Sequence, residues 1–493
     1  MPDAPPLAPA IEGSSQPGPP CPIEPQFSRA VTVLSAVVLI TGMAAFAWLQ
    51  LSIPRLDRVP SPERAVALMV GRMMDLEEAV TQAPAWEQQL YEFTSGGRAY
   101  ELAQAIAWFE ELSAASPDSL LILRLAVLHA EAGNLGWLET KVTDWKARPE
   151  PFASYARFLR GGYLESRLDP DNEQLLQAEL AEILPAGWFY DRLALNLAMR
   201  GGDRALLAAT QRATVARGQP LLKRSRVLAV VESAVIVIGC LILTVGRLRR
   251  HTQTPSGLPQ VGQAPVPPSW RGRTGMAVLL RGGALGIVLI FILLNFGTDD
   301  PLTRLAAIPL TNLPILLLSR VYLFREAGRG FRAALGLMPK PEGWRRFGLA
   351  VPAVMAAGLS VEWGIDRVAE LFNHASHWTE WFDADLVWGP LPILGLSLLE
   401  YVVLAPLFEE FVFRGLLFAT LRRRFGPGAS ALLSATVFAA AHGYGFLGFA
   451  SVLWSGIIWA WAYEKTGSLL PGMAAHALNN LLVCLTLVAL LRW

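Results

Sequence analysis

Apolar residues form long runs along this chain, and polar stretches separate the runs. Residues 30–51 and 227–246 are each long enough to cross a bilayer, which takes about 20 apolar residues in a helix. Further apolar runs fill the C-terminal half, at 276–297, 302–324, 346–365, 389–421, 428–442, 446–463 and 468–491. This pattern predicts an all-α fold, a polytopic transmembrane helical bundle in which residues 276–493 are the multi-span domain.

The stretch between the first two spans, residues 52–226, has a different pattern. Charged residues are frequent there, and apolar positions recur at helical spacing between Gly and Pro residues. Ser61-Pro62 is typical of a helix start, with Ser before the helix and Pro at its first position. We therefore predict an inserted soluble α-helical domain between a transmembrane anchor at 30–51 and a transmembrane helix at 227–246.

Two similar segments of this domain begin at Arg124 and Arg192, 68 residues apart. That offset is twice the period of about 34 residues found in tetratricopeptide helical hairpins. A plain helical bundle gives the same pattern, so a tetratricopeptide-like repeat is one of two readings of residues 52–226.

Two segments lack any apolar period. Residues 1–29 are rich in proline and are predicted to be a disordered tail, and residues 247–275 are predicted to be a linker rich in Pro and Gly. Basic residues gather in the loops after 302–324 and 389–421, whereas the loops after 276–297 and 346–365 are acidic. The positive-inside rule places the basic loops in the cytoplasm and the 52–226 domain outside.

Composition agrees with a membrane protein. Hydrophobic residues make up 53% of the chain and charged residues 17%, against about 25% charged in soluble domains. The net charge of +1 argues against a nucleic-acid partner, and the three cysteines lack the spacing of a metal or redox site. We expect an integral, multi-pass protein, in the cytoplasmic membrane of a bacterium, with the lipid bilayer as one partner.

Charged residues interrupt the apolar run at 389–421, and three of them lie close together: Glu409, Glu410 and Arg414. Charges in the hydrocarbon region are costly, and by default they mark a functional site. Glu410 and Arg414 lie four residues apart on one helix face and can form an ion pair. Glu409 points about 100° away and needs another partner.

Candidate partners lie in two later spans. His442 is the last residue of the 428–442 run, and His476 and Asn480 lie one turn apart in the 468–491 run. At about 1.5 Å per helical residue, Glu409 and His442 lie roughly 20 Å from the cytoplasmic ends of their helices, and His476 and Asn480 roughly 12–18 Å. Each of these residues alone could serve packing or interhelical hydrogen bonding. Their common depth favours a shared site.

The motifs resemble those of a known family. Glu409, Glu410 and Arg414 are spaced as in its EExxxR motif, Phe438 to His442 as in its FxxxH motif, and His476 to Asn480 as in its HxxxN motif. The family is the type II CAAX prenyl endopeptidase group, also called Abi or CPBP intramembrane proteases. The resemblance covers roughly residues 330–491, with the motifs in the same order, and does not extend to residues 1–250.

The resemblance implies an intramembrane endopeptidase that cleaves a membrane-associated protein or peptide substrate, prenylated or not. In the implied mechanism Glu409 activates a water that His442 also holds. His476 and Asn480 would stabilise the oxyanion, and Glu410 paired with Arg414 would fix the motif helix.

Zinc is the alternative within the same family reading. A catalytic zinc set of Glu409, His442 and His476 would make the protein a metalloprotease. We favour a mechanism with no cofactor, because adjacent glutamates and an Asn supply the base and the oxyanion donor without a cation.

Two other classes of protein also place polar residues inside a membrane. A non-catalytic scaffold or immunity-type protein would keep the fold and bind a protein partner through residues 52–226. A transporter would use the intramembrane charges as a relay, but the chain shows no paired halves with matching broken helices.

Overall fold

The computed structural model describes residues 26–248, 258–295, 300–325, 330–372 and 374–492. Residues 1–25 of the predicted disordered tail and residues 249–257 of the predicted linker lie outside this part of the chain. The predicted all-α fold is confirmed: the structure is 82% helical, and no strand occurs among the described residues.

The domain predicted at residues 52–226, called the outer domain below, consists of short helices that pack against their neighbours in sequence. They are α2 Pro62–Val80, α3 Ala85–Ser95, α4 Gly97–Ala115, α5 Ser119–Glu131, α6 Leu135–Lys146, α7 Phe152–Leu159, α8 Pro170–Ile183 and α9 Trp188–Gly201; they follow α1, Arg29–Ser52. A π turn, Arg160–Leu164, extends α7. The largest fully buried side chains of this domain are aromatic, including Trp145, Trp188 and Phe158. The contacts between successive helices are compatible with both readings of the 68-residue offset, and the tetratricopeptide reading stays a prediction.

The next helix, α10 (Arg204–Leu248), is 45 residues long and joins the outer domain to the membrane part. At about 1.5 Å per residue it measures roughly 68 Å. Its outer half is fixed by Arg217, whose guanidinium bonds to Asp75 at 3.0 Å and to Asp191 at 2.5 Å. The predicted boundary at residue 226 falls inside this helix, because the polar and apolar segments are both helix-forming and nothing between them ends the helix.

The membrane part follows with helices α11 Gly272–Asn295, α12 Pro301–Ser319, α13 Phe331–Ala334, α14 Pro341–Leu371, α15 Ala384–Trp388, α16 Leu391–Leu421, α17 Pro427–Ala440, α18 Phe446–Thr466 and α19 Leu470–Leu487. A π turn, Arg320–Phe324, extends α12, and another, Val488–Arg492, extends α19. Two short 3₁₀ turns, Leu56–Arg58 and Trp378–Glu380, lie outside the spans.

Eight helices in the described part of the chain are long and apolar enough to cross a membrane: α1, α10, α11, α12, α14, α16, α18 and α19. The run predicted at 428–442 is different, since α17 has only 14 residues. That is a length of about 21 Å, less than the roughly 30 Å of a bilayer core. This short helix therefore ends within the membrane thickness, and His442 lies in the turn after it.

Helices α16 to α19 pack together, and the other spans lie around them. On one side, α14 packs against α18 and α19, and α10 packs along α14. The α10–α14 contact is close because Gly239 has no side chain: a Cβ there would lie 2.1 Å from the carbonyl oxygen of Pro352. On another side, α11 and α12 contact α16, and α1 packs on α11.

The described part of the predicted linker is hydrogen-bonded to the bundle. Val261 and Gly262 donate to the carbonyl of Thr466 at 2.8 and 2.9 Å, and Ala264 donates to the carbonyl of Gly467 at 2.9 Å. These bonds attach the segment to the turn between α18 and α19. Its Pro and Gly residues therefore follow the bundle surface in a fixed, irregular path.

Candidate active site

The helix that carries the two glutamates, α16, is interrupted by two π turns, Leu399–Leu404 and Glu410–Phe418. In a π turn the carbonyl of one residue accepts from the N–H five residues later, and such turns are frequent at functional sites. The acceptor Tyr401 would need the N–H of residue 406, but Pro406 has none. Asn480 of α19 supplies the missing donor, with its Nδ2 2.9 Å from the Tyr401 oxygen.

Glu410 and Arg414 form a buried ion pair. Arg414 Nη1 donates to Glu410 Oε1 at 2.8 Å, and the two side chains are 0% and 1% exposed. His476 Nδ1 lies 3.0 Å from the same carboxylate oxygen. Because a carboxylate accepts, His476 Nδ1 carries the proton in this contact. One carboxylate thus ties α16 to α19.

The Arg414 guanidinium is otherwise enclosed by aromatic rings. Its central carbon lies 4.3 Å from the ring centre of Phe438 and 5.0 Å from that of Trp459. Its Nε and Nη2 have no hydrogen-bond partner in the described part of the chain, so the ring faces replace hydrogen bonds. The approach requires Gly456, where a Cβ would lie 2.9 Å from Nη2.

His476 is held in place on both sides. Its ring stacks on Trp459 with centres 3.9 Å apart and planes 17° from parallel. Its Nε2 lies 3.7 Å from Glu409 Oε2, too far for a hydrogen bond but close enough for electrostatic interaction. The Glu409 side chain is 31% exposed and makes no hydrogen bond within the described residues. Glu409 is therefore the carboxylate that a water or substrate can approach.

His442 lies in the turn that follows α17. Its Nδ1 is 2.8 Å from the carbonyl oxygen of Phe438, so Nδ1 carries the proton and Nε2 keeps its lone pair. The Phe438 ring contacts both histidines edge-on, with centres 4.7 Å from His442 and 6.1 Å from His476. Phe438 thus fixes the direction of His442 and also covers Arg414.

The structure brings together Glu409, Glu410, Arg414 and His476 and places His442 next to them across Phe438. Asn480 bonds to Tyr401 through one N–H group, and its oxyanion role stays a prediction. His476 contacts Glu410 more closely than Glu409, which the sequence did not indicate.

The proposed zinc ligands, Glu409, His442 and His476, do not converge as placed. Among the described residues, no group of three or more His, Cys, Asp or Glu side chains is arranged to hold a metal ion. His476 Nδ1 is also occupied by Glu410. No step is therefore assigned to a metal, and zinc binding stays the alternative that metal analysis tests.

Comparison with protein families bears on this site directly. Residues 391–482 match the family model described as Type II CAAX prenyl endopeptidase Rce1-like. Residues 391–482, in the C-terminal part of this chain, are therefore similar to the Rce1-like family. The predicted resemblance is thereby confirmed, and at the level of the family it supports a CAAX-protease-like intramembrane peptidase. Comparison with curated proteins and with solved structures gives no significant match.

The Rce1-like match contains all of the predicted site residues and spans α16, α17, α18 and most of α19. It also contains residues that the sequence did not single out. Trp459 and Gly456 shape the Arg414 site, and Ser434 donates to the carbonyl of Phe413 at 2.8 Å, which joins α17 to α16. Only Phe438 had a signal in the sequence, as the first residue of the FxxxH motif.

Proposed function

We propose that the protein is an intramembrane endopeptidase of a bacterial cytoplasmic membrane that hydrolyses a peptide bond of a membrane-associated protein. The observation that carries the proposal is the unequal environment of two adjacent carboxylates. Glu410 is buried and engaged by Arg414 and His476, whereas the Glu409 side chain is 31% exposed and makes no hydrogen bond within the described residues. We therefore assign Glu410 to the packing of the helices and Glu409 to the reaction.

In the proposed reaction Glu409 is the general base. It takes a proton from water as the water oxygen adds to the carbonyl carbon of the scissile bond. The proton then passes to the amide nitrogen, the C–N bond breaks, and the amine leaves. Removal from bulk water makes a carboxylate a stronger base, which suits this role.

The two histidines take the neighbouring roles. His442 Nε2 accepts a hydrogen bond from the attacking water, because its Nδ1 is committed to the Phe438 carbonyl. His476 donates to the developing oxyanion from Nε2 when protonated, with the nearby carboxylates stabilising its charge. Asn480 has one N–H on Tyr401 and a second for the oxyanion.

The experiment that tests this function is a comparison of membrane proteomes. Cells that express the wild type, Glu409→Ala or the control Glu342→Ala are compared for uncleaved membrane proteins. Glu342 is an exposed carboxylate in the first turn of α14 and suits a matched control. We expect a small set of proteins to accumulate uncleaved with Glu409→Ala alone. Identical proteomes for all three would refute the proposal.

We assign the outer domain a role in receiving the substrate or a protein partner. It is joined to the membrane part by the continuous helix α10, and it contacts the loop after α14, where His377 Nε2 lies 2.7 Å from Glu111. Exchange of residues 52–226 for an unrelated helical domain should change which proteins are cleaved. An unchanged set of cleaved proteins would exclude this role.

A further inference from the structure

A cavity of about 610 Å³ lies where the outer domain meets the membrane helices. Helices α2, α3 and α4 form one wall, and α10, α14 and α19 form the other. None of the residues that we assign to catalysis lines it. Its size is that of a typical small-molecule site. The cavity is therefore a second candidate site, separate from the peptidase centre.

The cavity is strongly acidic for its position. Four carboxylates line it, with Arg72 as the basic residue on the same wall: Glu101, Glu232, Glu362 and Asp366. Three of these carboxylates lie on helices that are candidate membrane spans, where an ionisable group is costly without a partner. Helices α10 and α14, which carry three of these acids, pack closely against each other at Gly239 and Pro352.

None of the four carboxylates is paired with a basic side chain within hydrogen-bonding distance in the described structure. Glu101 is only 6% exposed; Tyr91 donates to its Oε1 at 2.8 Å, and its Oε2 has no hydrogen-bond partner. Glu232 and Asp366 make no hydrogen bond or ion pair with a described residue. Glu362 bonds to the Ser455 hydroxyl alone. A buried acceptor without a donor, together with three neighbouring carboxylates, indicates a missing cationic ligand.

Aromatic side chains line the same cavity: Tyr91, Trp108, Trp363 and Trp381. The rings of Trp108 and Trp381 meet edge-on with centres 6.4 Å apart. Most of the remaining wall is aliphatic or methionine, including Met69 and Met73. Aromatic faces combined with carboxylates are the usual recognition elements for organic ammonium groups, and the aliphatic wall suits a hydrocarbon tail.

We propose that this cavity binds an alkylammonium amphiphile, an organic ammonium ion that carries an apolar tail. The aromatic and aliphatic lining favours an organic cation, and the described residues include no cluster of His, Cys, Asp and Glu arranged to hold a metal ion. An anion would meet four carboxylates. The ammonium group belongs beside Glu101 and Glu362, and the tail lies along α19. This inference does not rest on peptidase activity.

The test is equilibrium dialysis of the full-length protein in an uncharged maltoside detergent, with radiolabelled hexylammonium as the probe and protein-free micelles as the blank. We expect saturable binding near one site per chain. Glu101→Gln and Glu362→Gln should each raise the Kd at least tenfold, and Trp108→Leu should also raise it. The matched control Glu139→Gln, an exposed carboxylate of the outer domain that does not line the cavity, should leave the Kd unchanged.

Competitors decide the chemistry and the source of the ligand. Hexyl sulfate and hexanol should not displace the probe; displacement by hexanol at the probe's own concentration would overturn the proposal. Absence of saturable binding, or a Kd unchanged in both glutamate variants, would overturn it as well.

Short-chain phosphatidylcholine or phosphatidylethanolamine should displace the probe if the natural ligand is a lipid headgroup. If neither does while the probe still binds saturably, the natural ligand is a non-lipid amphiphile. Circular dichroism melting of each variant separates loss of binding from loss of folding.

Discussion

Exchange of Glu409 or Glu410 for the isosteric glutamine should distinguish the carboxylate that stabilises the fold from the carboxylate that takes part in the reaction. Glu410 shares one carboxylate oxygen with Arg414 at 2.8 Å and His476 at 3.0 Å, and both sides of the ion pair are fully buried. Glu410→Gln removes the charge that compensates Arg414 and leaves a buried, uncompensated guanidinium. Loss of one partner from a buried ion pair costs about 3–5 kcal/mol.

Glu409→Gln should cost far less stability, because Glu409 makes no hydrogen bond within the described residues and is 31% exposed. Substitutions away from buried networks usually change stability by about 0.5 kcal/mol or less. The assay is thermal unfolding of both variants in the same detergent. We expect the apparent Tm of Glu410→Gln to fall by roughly 5 °C or more and that of Glu409→Gln to stay within about 2 °C of the wild type.

Two outcomes would refute this reasoning. Equal losses of Tm in the two variants would mean that the carboxylates share the structural role. A stable Glu410→Gln would mean that Phe438 and Trp459 alone hold the Arg414 charge. The double variant Glu410→Gln with Arg414→Met supplies the control, since it removes both charges and should recover part of the lost stability.

The remaining predictions concern a helix contact, the outer domain and the metal. Asn480→Leu leaves the Tyr401 carbonyl without a donor, so unfolding should become easier by about 1–3 kcal/mol, measured as a lower apparent Tm than in the exposed control Asn295→Leu. In the protein without a bound cation, burial raises the pKa of Glu101 from 4.5 to about 8, so the folded state binds an extra proton between these values and stability falls as pH rises from about 4.5 to 8. At about 1.4 kcal/mol per pH unit the contribution is at most about 5 kcal/mol, and Glu101→Gln should flatten the fall in Tm between pH 5 and 8; an unchanged pH profile would contradict the assignment. Dialysis against a strong chelator should leave cleavage unchanged if the mechanism is metal-free, whereas loss of cleavage with recovery on added zinc would establish the metalloprotease alternative.

The all-α fold and the positions of the spans follow from the sequence because apolar run length is a direct consequence of membrane thickness. The depth of Glu409 and His442 could be worked out in the same way. The shortness of α17 was harder to predict, since the apolar run at 428–442 continues past the helix end at Ala440. The end of α17 at Ala440 is set by the turn that contains His442, and the packing of that turn against other helices has no signal in the local sequence.

Other features of the site depend on contacts between helices and had no signal in the sequence. The π turns of α16 change which side chains face α19, so the spacing of an ordinary helix could not show that His476 would reach Glu410. The bond from Asn480 to Tyr401 depends on the missing N–H of Pro406 within such a turn. The continuity of α10 likewise places Glu232 beside Glu362, which lies 130 residues further along the chain.

The central claim is that Glu409 is the base of a peptidase. The most direct measurement is cleavage of a protein that accumulates in Glu409→Ala cells, by purified wild type and purified Glu409→Ala in proteoliposomes. We predict that the wild type cleaves it and that Glu409→Ala is slower by about 10²–10⁴-fold with an unchanged apparent Tm. Cleavage by Glu409→Ala at the wild-type rate would contradict the account.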